Sequence, residues 1–67
     1  MDIQKKLARS VRSRRLALEM SQEDLAAACD LDRTYISGIE RGIRNPTINV
    51  LQRLSDALET NVPSLLE

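Results

Sequence analysis

Arg33, Thr34, Tyr35 and Ser37 crowd one short segment, Asp32-Arg33-Thr34-Tyr35-Ile36-Ser37-Gly38-Ile39-Glu40. Asp32 has the character of an N-cap, because its carboxylate can accept from the free N–H groups of a first helical turn. Ile36 and Ile39, three apart, then share one face and point inward. Arg33, Thr34 and Ser37 fall elsewhere on the turn and point outward. A short helix that displays a guanidinium, hydroxyls and a phenol near its start is suited to reading a polar object.

Bond-making chemistry has little to work with. The chain has no histidine, so the commonest general base is missing. No glycine-rich phosphate loop, metal-ligand cluster or nucleophile motif is present. Glu23-Asp24 and the pair Asp30 and Asp32 are neighbouring carboxylates, but helix caps and helix-start charges account for them. The expectation is no enzyme, no metal site, no cofactor and no small-molecule ligand.

The elements that must position the outward residues are helical. Ile3, Leu7 and Val11 recur every four residues and Leu18 continues the stripe, which predicts an amphipathic helix over 2–19. Ser21-x-x-Asp24 resembles a capping box, with Met20 and Leu25 spaced as its hydrophobic staple. The second helix runs from there to about Cys29. Asp30-Leu31 makes the turn, and Leu31 with Ile36 is spaced as the staple of the third helix. Gly42 can be the left-handed residue that stops it. After a loop over 43–46, Thr47 caps a fourth helix whose buried face is read as Ile48, Leu51, Leu54 and Leu58. Thr60-Asn61 breaks that helix, and Pro63 fits the first position of a short fifth one. These elements predict a compact all-α five-helix bundle forming one domain over 1–67, with no strand, repeat or linker.

The 67 residues allow only a modest core; a chain of this size hides about 60% of its unfolded surface. One cysteine and no histidine exclude an internal disulfide and a common zinc site. Cys29 on an apolar helix position reads as core filler and suits a reducing cytosol. No apolar run is long enough to span a membrane and no signal peptide is visible. Ten basic residues balance ten acidic ones, but nine of the ten basic lie in 1–44 against seven acidic, leaving one against three in 45–67. That mild excess falls on the half that carries the outward residues.

At this point the residues resemble a family. Gln22-Glu23-Asp24-Leu25-Ala26, then Leu31 to Glu40, then Arg44-Asn45-Pro46-Thr47 are similar to the Cro/phage-repressor-like (Xre) helix-turn-helix regulators. Leu31 to Arg41 looks most like controller proteins of restriction–modification systems, and the likeness covers about residues 7–66. It implies a lambda-repressor-like DNA-binding domain whose second and third helices form the helix-turn-helix, the third entering the major groove.

On that reading Arg33, Thr34 and Ser37 approach base edges. Arg33 offers two parallel donors that fit guanine O6 and N7, and Thr34 can donate or lay its methyl on a thymine methyl. Tyr35, the one aromatic residue, either packs half-buried or reaches a phosphate. Gln22 opens the second helix, and the resemblance gives it a phosphate. Arg41, Arg44 and Asn45 flank the following loop as phosphate clamps, which set register and carry little sequence information. Gly38 has no side chain with which to read; close approach to DNA or to a neighbouring helix could each explain it. The resemblance also pairs Arg15 with Glu40.

The function implied is a cytoplasmic, homodimeric transcription regulator on a two-fold symmetric operator, autoregulatory through its own concentration. Repression needs only overlap with a promoter; activation needs contact with RNA polymerase. Val62, Leu65 and Leu66 are a candidate dimer seam, and could equally cap the monomer core. The rival class is a protein-binding module, such as an antitoxin that keeps the helix-turn-helix.

Overall fold

The computed structural model describes residues 2–67. They form α1 (Ile3–Ala17), α2 (Gln22–Cys29), α3 (Arg33–Glu40), α4 (Ile48–Ala57) and α5 (Val62–Leu65), with no strand among the described residues. The helix starts follow local side-chain chemistry. Asp2 accepts from the Lys5 N–H at 2.9 Å. Ser21 and Asp24 complete a reciprocal capping box: Ser21 Oγ accepts from the Asp24 N–H, and Asp24 Oδ2 accepts from the Ser21 N–H, both at 2.9 Å. Asp32 caps α3 and Thr47 caps α4. At α5 the cap is Asn61, whose Oδ1 accepts from the Ser64 N–H at 2.9 Å, so Pro63 is the second residue of that helix rather than the first. A missing N–H costs nothing in either place, because first-turn donors have no partner within the helix.

The ends of α1 to α4 share one device. Glu19, Asp30, Gly42 and Glu59 have φ of 58°, 57°, 74° and 57°. The residue after each sends its N–H back five positions: Met20 to Arg15 O, Leu31 to Ala26 O, Ile43 to Gly38 O and Thr60 to Ser55 O, at 2.9–3.0 Å. These are Schellman closures, which satisfy carbonyls at the helix end. Only the one at Gly42 was legible, because glycine announces a left-handed position and glutamate does not. The closure at Glu19 also ends α1 at Ala17, two residues short of the expected boundary. Arg14 adds a cap from outside, its Nε and Nη2 donating to Leu58 O and Glu59 O at 3.1 Å each, beyond the end of α4.

Leu7, Val11, Leu25, Ala26, Cys29, Ile36, Ile39, Leu54, Leu58 and Leu65 form the core. Cys29 is filler, as expected: it is 2% exposed, its Sγ faces Arg53 O at 3.7 Å, and burial raises its thiol pKa. The apolar stripe of α4 departs from the one expected. Ile48 lies on the spacing of the α4 stripe yet is 80% exposed, because it is the first residue of the helix and no element faces it. Its place on the inner face is taken by Ser55, which is fully buried and donates to Gln52 O at 2.8 Å. Leu65 is fully buried, which puts it in the monomer core, one of the two places open to it. Val62 and Leu66 keep part of their surface. No described helix is long and apolar enough to cross a membrane.

Candidate nucleic-acid interface

α3 rests on α1 and α2, and α2 packs in turn on α4. Asp30 in the left-handed region and Asp32 in extended conformation turn the chain sharply between α2 and α3. Ile36 and Ile39 are buried; Arg33 and Thr34 are exposed and Ser37 is half-buried. The outward face of α3 is therefore made of the residues read from the sequence.

Thr34 is more constrained than the sequence reveals. One oxygen of Asp32, Oδ1, accepts from the Thr34 N–H at 2.8 Å and from the Thr34 hydroxyl at 2.7 Å. The hydroxyl bond, then the backbone bond, lower the Asp32 carboxyl below its usual value. With its proton engaged, Thr34 offers its methyl group and a lone pair outward. Of the two roles expected for it, the methyl contact is the one that requires no rearrangement.

Behind this face lies a buried ion pair. Arg15 Nε donates to Glu40 Oε2 at 2.7 Å and Nη2 to Oε1 at 2.9 Å, in a two-pronged bond between α1 and the last residue of α3. The two side chains are 8% and 4% exposed. Arg15 Nη1 also donates to Met20 O at 2.8 Å. The hydrogen bonds to Glu40 outweigh the cost of burial, and the Arg15 pKa is raised. Two further groups converge on the carboxylate. Gln22 Nε2 donates to Oε1 at 3.3 Å, and Arg12 Nη1 lies 4.0 Å from the same oxygen. Glu40 thus ties the first three helices together. Arg12 was not read from the sequence, although it sits three residues before Arg15 on the same helix face. Gln22 spends one amide hydrogen on Glu40; its second is free for an outside acceptor.

Beyond α3, Arg41, Arg44 and Asn45 are all exposed. Asn45 lines a small groove with Ile3, Leu7, Pro46 and Leu66. Arg44 behaves differently from a free loop residue. Its guanidinium carbon stands 5.6 Å from the centroid of the Tyr35 ring. Tyr35 is half-buried against the core, so its ring is both packed and partly presented. The Arg44 carbonyl accepts from Gln4 Nε2 at 3.3 Å, which ties the loop to α1.

A short helix locked from behind by an ion pair, following a tight turn and carrying its polar residues outward, defines the helix-turn-helix DNA-binding class. Residues 11–65 match the helix-turn-helix family, and the chain belongs to it, in its Xre type, alongside restriction–modification control proteins. It is 50% identical over 66 residues to control protein C.SmaI of Serratia marcescens, covering 98% of this chain and 79% of that one. The restriction–modification controller protein C.AhdI of Aeromonas hydrophila superposes with a TM-score of 0.88 at 37% identity, covering 92% of this chain and 94% of the other. The controller protein C.Esp1396I, solved as a tetramer in complex with its natural 35 base-pair operator, gives a TM-score of 0.86 at 42% identity, over 97% of this chain and 86% of that one.

Proposed function

We propose that this chain is a sequence-specific transcription regulator that binds a two-fold symmetric DNA operator as a homodimer. The observation that carries the reading is the outward face of α3: Arg33, Thr34 and Ser37 stand on a helix whose inner face is buried and whose end is pinned by Arg15 and Glu40. An exposed guanidinium near the start of a helix held in place is what direct readout of a guanine edge requires. Gln22, Tyr35, Arg41, Arg44 and Asn45 surround that face as phosphate contacts. The likeness to a controller protein solved on its operator supports the same use of the surface.

Two subunits would place their third helices in successive major grooves, about 34 Å apart. Val62 and Leu66 are the seam residues that retain surface, with Leu65 supporting them from beneath. Occupancy then follows protein concentration, because dimerisation and operator binding both depend on it. That arrangement suits control of the chain's own synthesis in the cytoplasm, within a restriction–modification operon, by overlap with a promoter or by contact with RNA polymerase. The relatives described above support a regulator and not the antitoxin reading.

The test is selection of bound duplexes from a random library at about physiological salt, with sedimentation of the free protein alongside. An enriched two-fold symmetric site and a dimer are expected. Retention of all duplexes alike, falling steeply with salt, would reduce the interaction to its phosphate component and sink the operator reading.

A further inference from the structure

Arg12 lies in the second half of α1 with 63% of its side chain exposed, and its Nη1 stands 4.0 Å from Glu40 Oε1. The carboxylate does not need it. Arg15 already bonds both oxygens, at 2.7 and 2.9 Å, and neutralises their charge inside the fold. At 4.0 Å Arg12 is beyond hydrogen-bond range, and an exposed pair at that separation stabilises little. Two arginines against one carboxylate leave one positive charge over, and the exposed guanidinium of Arg12 carries it at the surface. Gln22 reaches the same oxygen from α2, its Nε2 donating at 3.3 Å. Glu40 Oε1 therefore gathers an exposed cation and a half-buried amide side by side, from two different helices. The amide keeps a second hydrogen, and a guanidinium carries five donors.

We infer that Arg12 and Gln22 together seat one phosphate of the DNA backbone, and that Glu40 is the positioning residue that sets them side by side. This rests on the operator-binding reading above, which gives Gln22 a phosphate; Arg12 and Glu40 are added to it. A phosphodiester bears one negative charge and two unbridged oxygens, which suits one cation beside one amide donor. α1 has the charge to spare: Lys5, Lys6, Arg9, Arg12, Arg14 and Arg15 are its ionisable residues, and none is acidic. Arg14 and Arg15 are spent inside the fold, on Leu58 O and Glu59 O and on Glu40. The ion pair with Arg15 is also a condition of the seat, because a bare carboxylate there would repel a phosphate. Glu40 is the last residue of α3. The backbone seat and the recognition helix thus share one anchor, and a strand held at Arg12 sets the register in which α3 meets the bases.

Neutralising the phosphates of a half-site one at a time, as methylphosphonates, locates the seat. In the wild type, one such position served by Arg12 should weaken binding about tenfold. In Arg12→Ala the same neutralisation should cost little more, because the charge it would have met is gone. Arg12→Ala should also weaken binding to all sequences alike and make the salt slope shallower by about 1, with base preferences and Tm unchanged. Arg12→Lys keeps the charge and should restore most of the slope. Gln22→Ala should lose its response at the same phosphate as Arg12→Ala.

An Arg12→Ala protein that keeps the wild-type salt slope and the wild-type response at every methylphosphonate would overturn the inference. A fall in Tm with those two readouts unchanged would overturn it as well, leaving Arg12 a partner of Glu40 alone. Glu40→Asp tests the positioning role: it keeps the charge that Arg15 needs and draws the shared oxygen back by one methylene. The response at the seat should shrink while the other phosphates keep theirs; equal shrinkage at all of them would remove Glu40 from the seat. A wild type with no preferred site in selection from random duplexes would sink the operator reading and the seat with it, an outcome distinct from the others.

Discussion

Arg15 and Glu40 meet through two parallel hydrogen bonds of 2.7 and 2.9 Å between side chains that are almost wholly buried. The pair joins the long helix α1 to the end of the recognition helix α3. It fixes the angle at which Arg33 and Ser37 leave the protein.

Removing either partner strands the other without water. Arg15→Ala or Glu40→Ala is expected to cost about 3–5 kcal/mol. The double replacement should cost clearly less than the sum, because no charge is then left alone. Urea unfolding of the two singles and the double provides the cycle. Additive losses would mean that the two groups are not energetically coupled. Arg15 also serves Met20 O, so its loss should be the larger of the two.

Arg33 and Arg41 are both exposed arginines, yet their replacement should look different. Arg33→Ala is expected to cost about 1–3 kcal/mol at the operator and to relax one base position. Arg41→Ala should weaken binding to all sequences alike and reduce the salt slope by about 1. Titrations on specific and scrambled duplexes at several salt concentrations separate the two. Identical profiles would place both residues on phosphate.

Glu19 and Glu59 hold left-handed backbone, with φ of 58° and 57°, at the closures of α1 and α4. An L-residue pays roughly 1–2 kcal/mol there, while glycine carries about 0.5–1 kcal/mol of extra chain entropy. Glu19→Gly and Glu59→Gly should therefore each stabilise by about 0.5–1 kcal/mol, or a few degrees in Tm for a domain of this size. Gly42 already has this advantage, and Gly42→Ala should move Tm the other way. Calorimetry of the three variants decides it.

Asp24 and Asp32 are capping carboxylates whose pKa values are lowered. The Ser21 backbone N–H, then its hydroxyl, act on Asp24; the Thr34 hydroxyl, then its N–H, act on Asp32. A carboxyl depressed on folding contributes stability above its unfolded value, about 3.9, and loses it as pH falls through the folded one. Tm should hold near neutral pH and decline below about pH 4. Asp32→Asn keeps a capping oxygen that does not titrate, so its decline should be shallower than that of the wild type. Parallel curves would remove Asp32 from the acid response.

The parts of the structure legible in the sequence are those decided within a few residues. Ser21 with Asp24, Asp32, Thr47 and the glycine at 42 each settle a helix end through contacts of short chain separation, and the spacing of Ile36 and Ile39 fixes which side of α3 faces in. Distant or ambiguous relationships were not legible. Ile48 obeys the period of its stripe, but period alone says nothing about whether another element reaches the end of a helix. Leu65 is apolar, and an apolar residue suits a core and a subunit seam equally well. Gly38 advertises an absence, and only the return of the chain at Ile43, which lays the Arg44 stem across it, reveals what fills it. Arg15 and Glu40 were found through resemblance; Gln22 and Arg12, which share the carboxylate, were not, because their convergence depends on how three helices cross.

Cys29 gives the molecule a built-in clock. Its sulfur is 2% exposed and its proton is held more firmly than in a free thiol, so alkylating reagents find neither access nor thiolate in the folded state. Labelling can proceed only when α2 lifts from α4. With one thiol per chain, the rate of that reaction counts openings of a single core contact without any probe being added. Comparing the rate with and without bound duplex would report how far occupancy of the outer face of α3 quiets the far side of the fold.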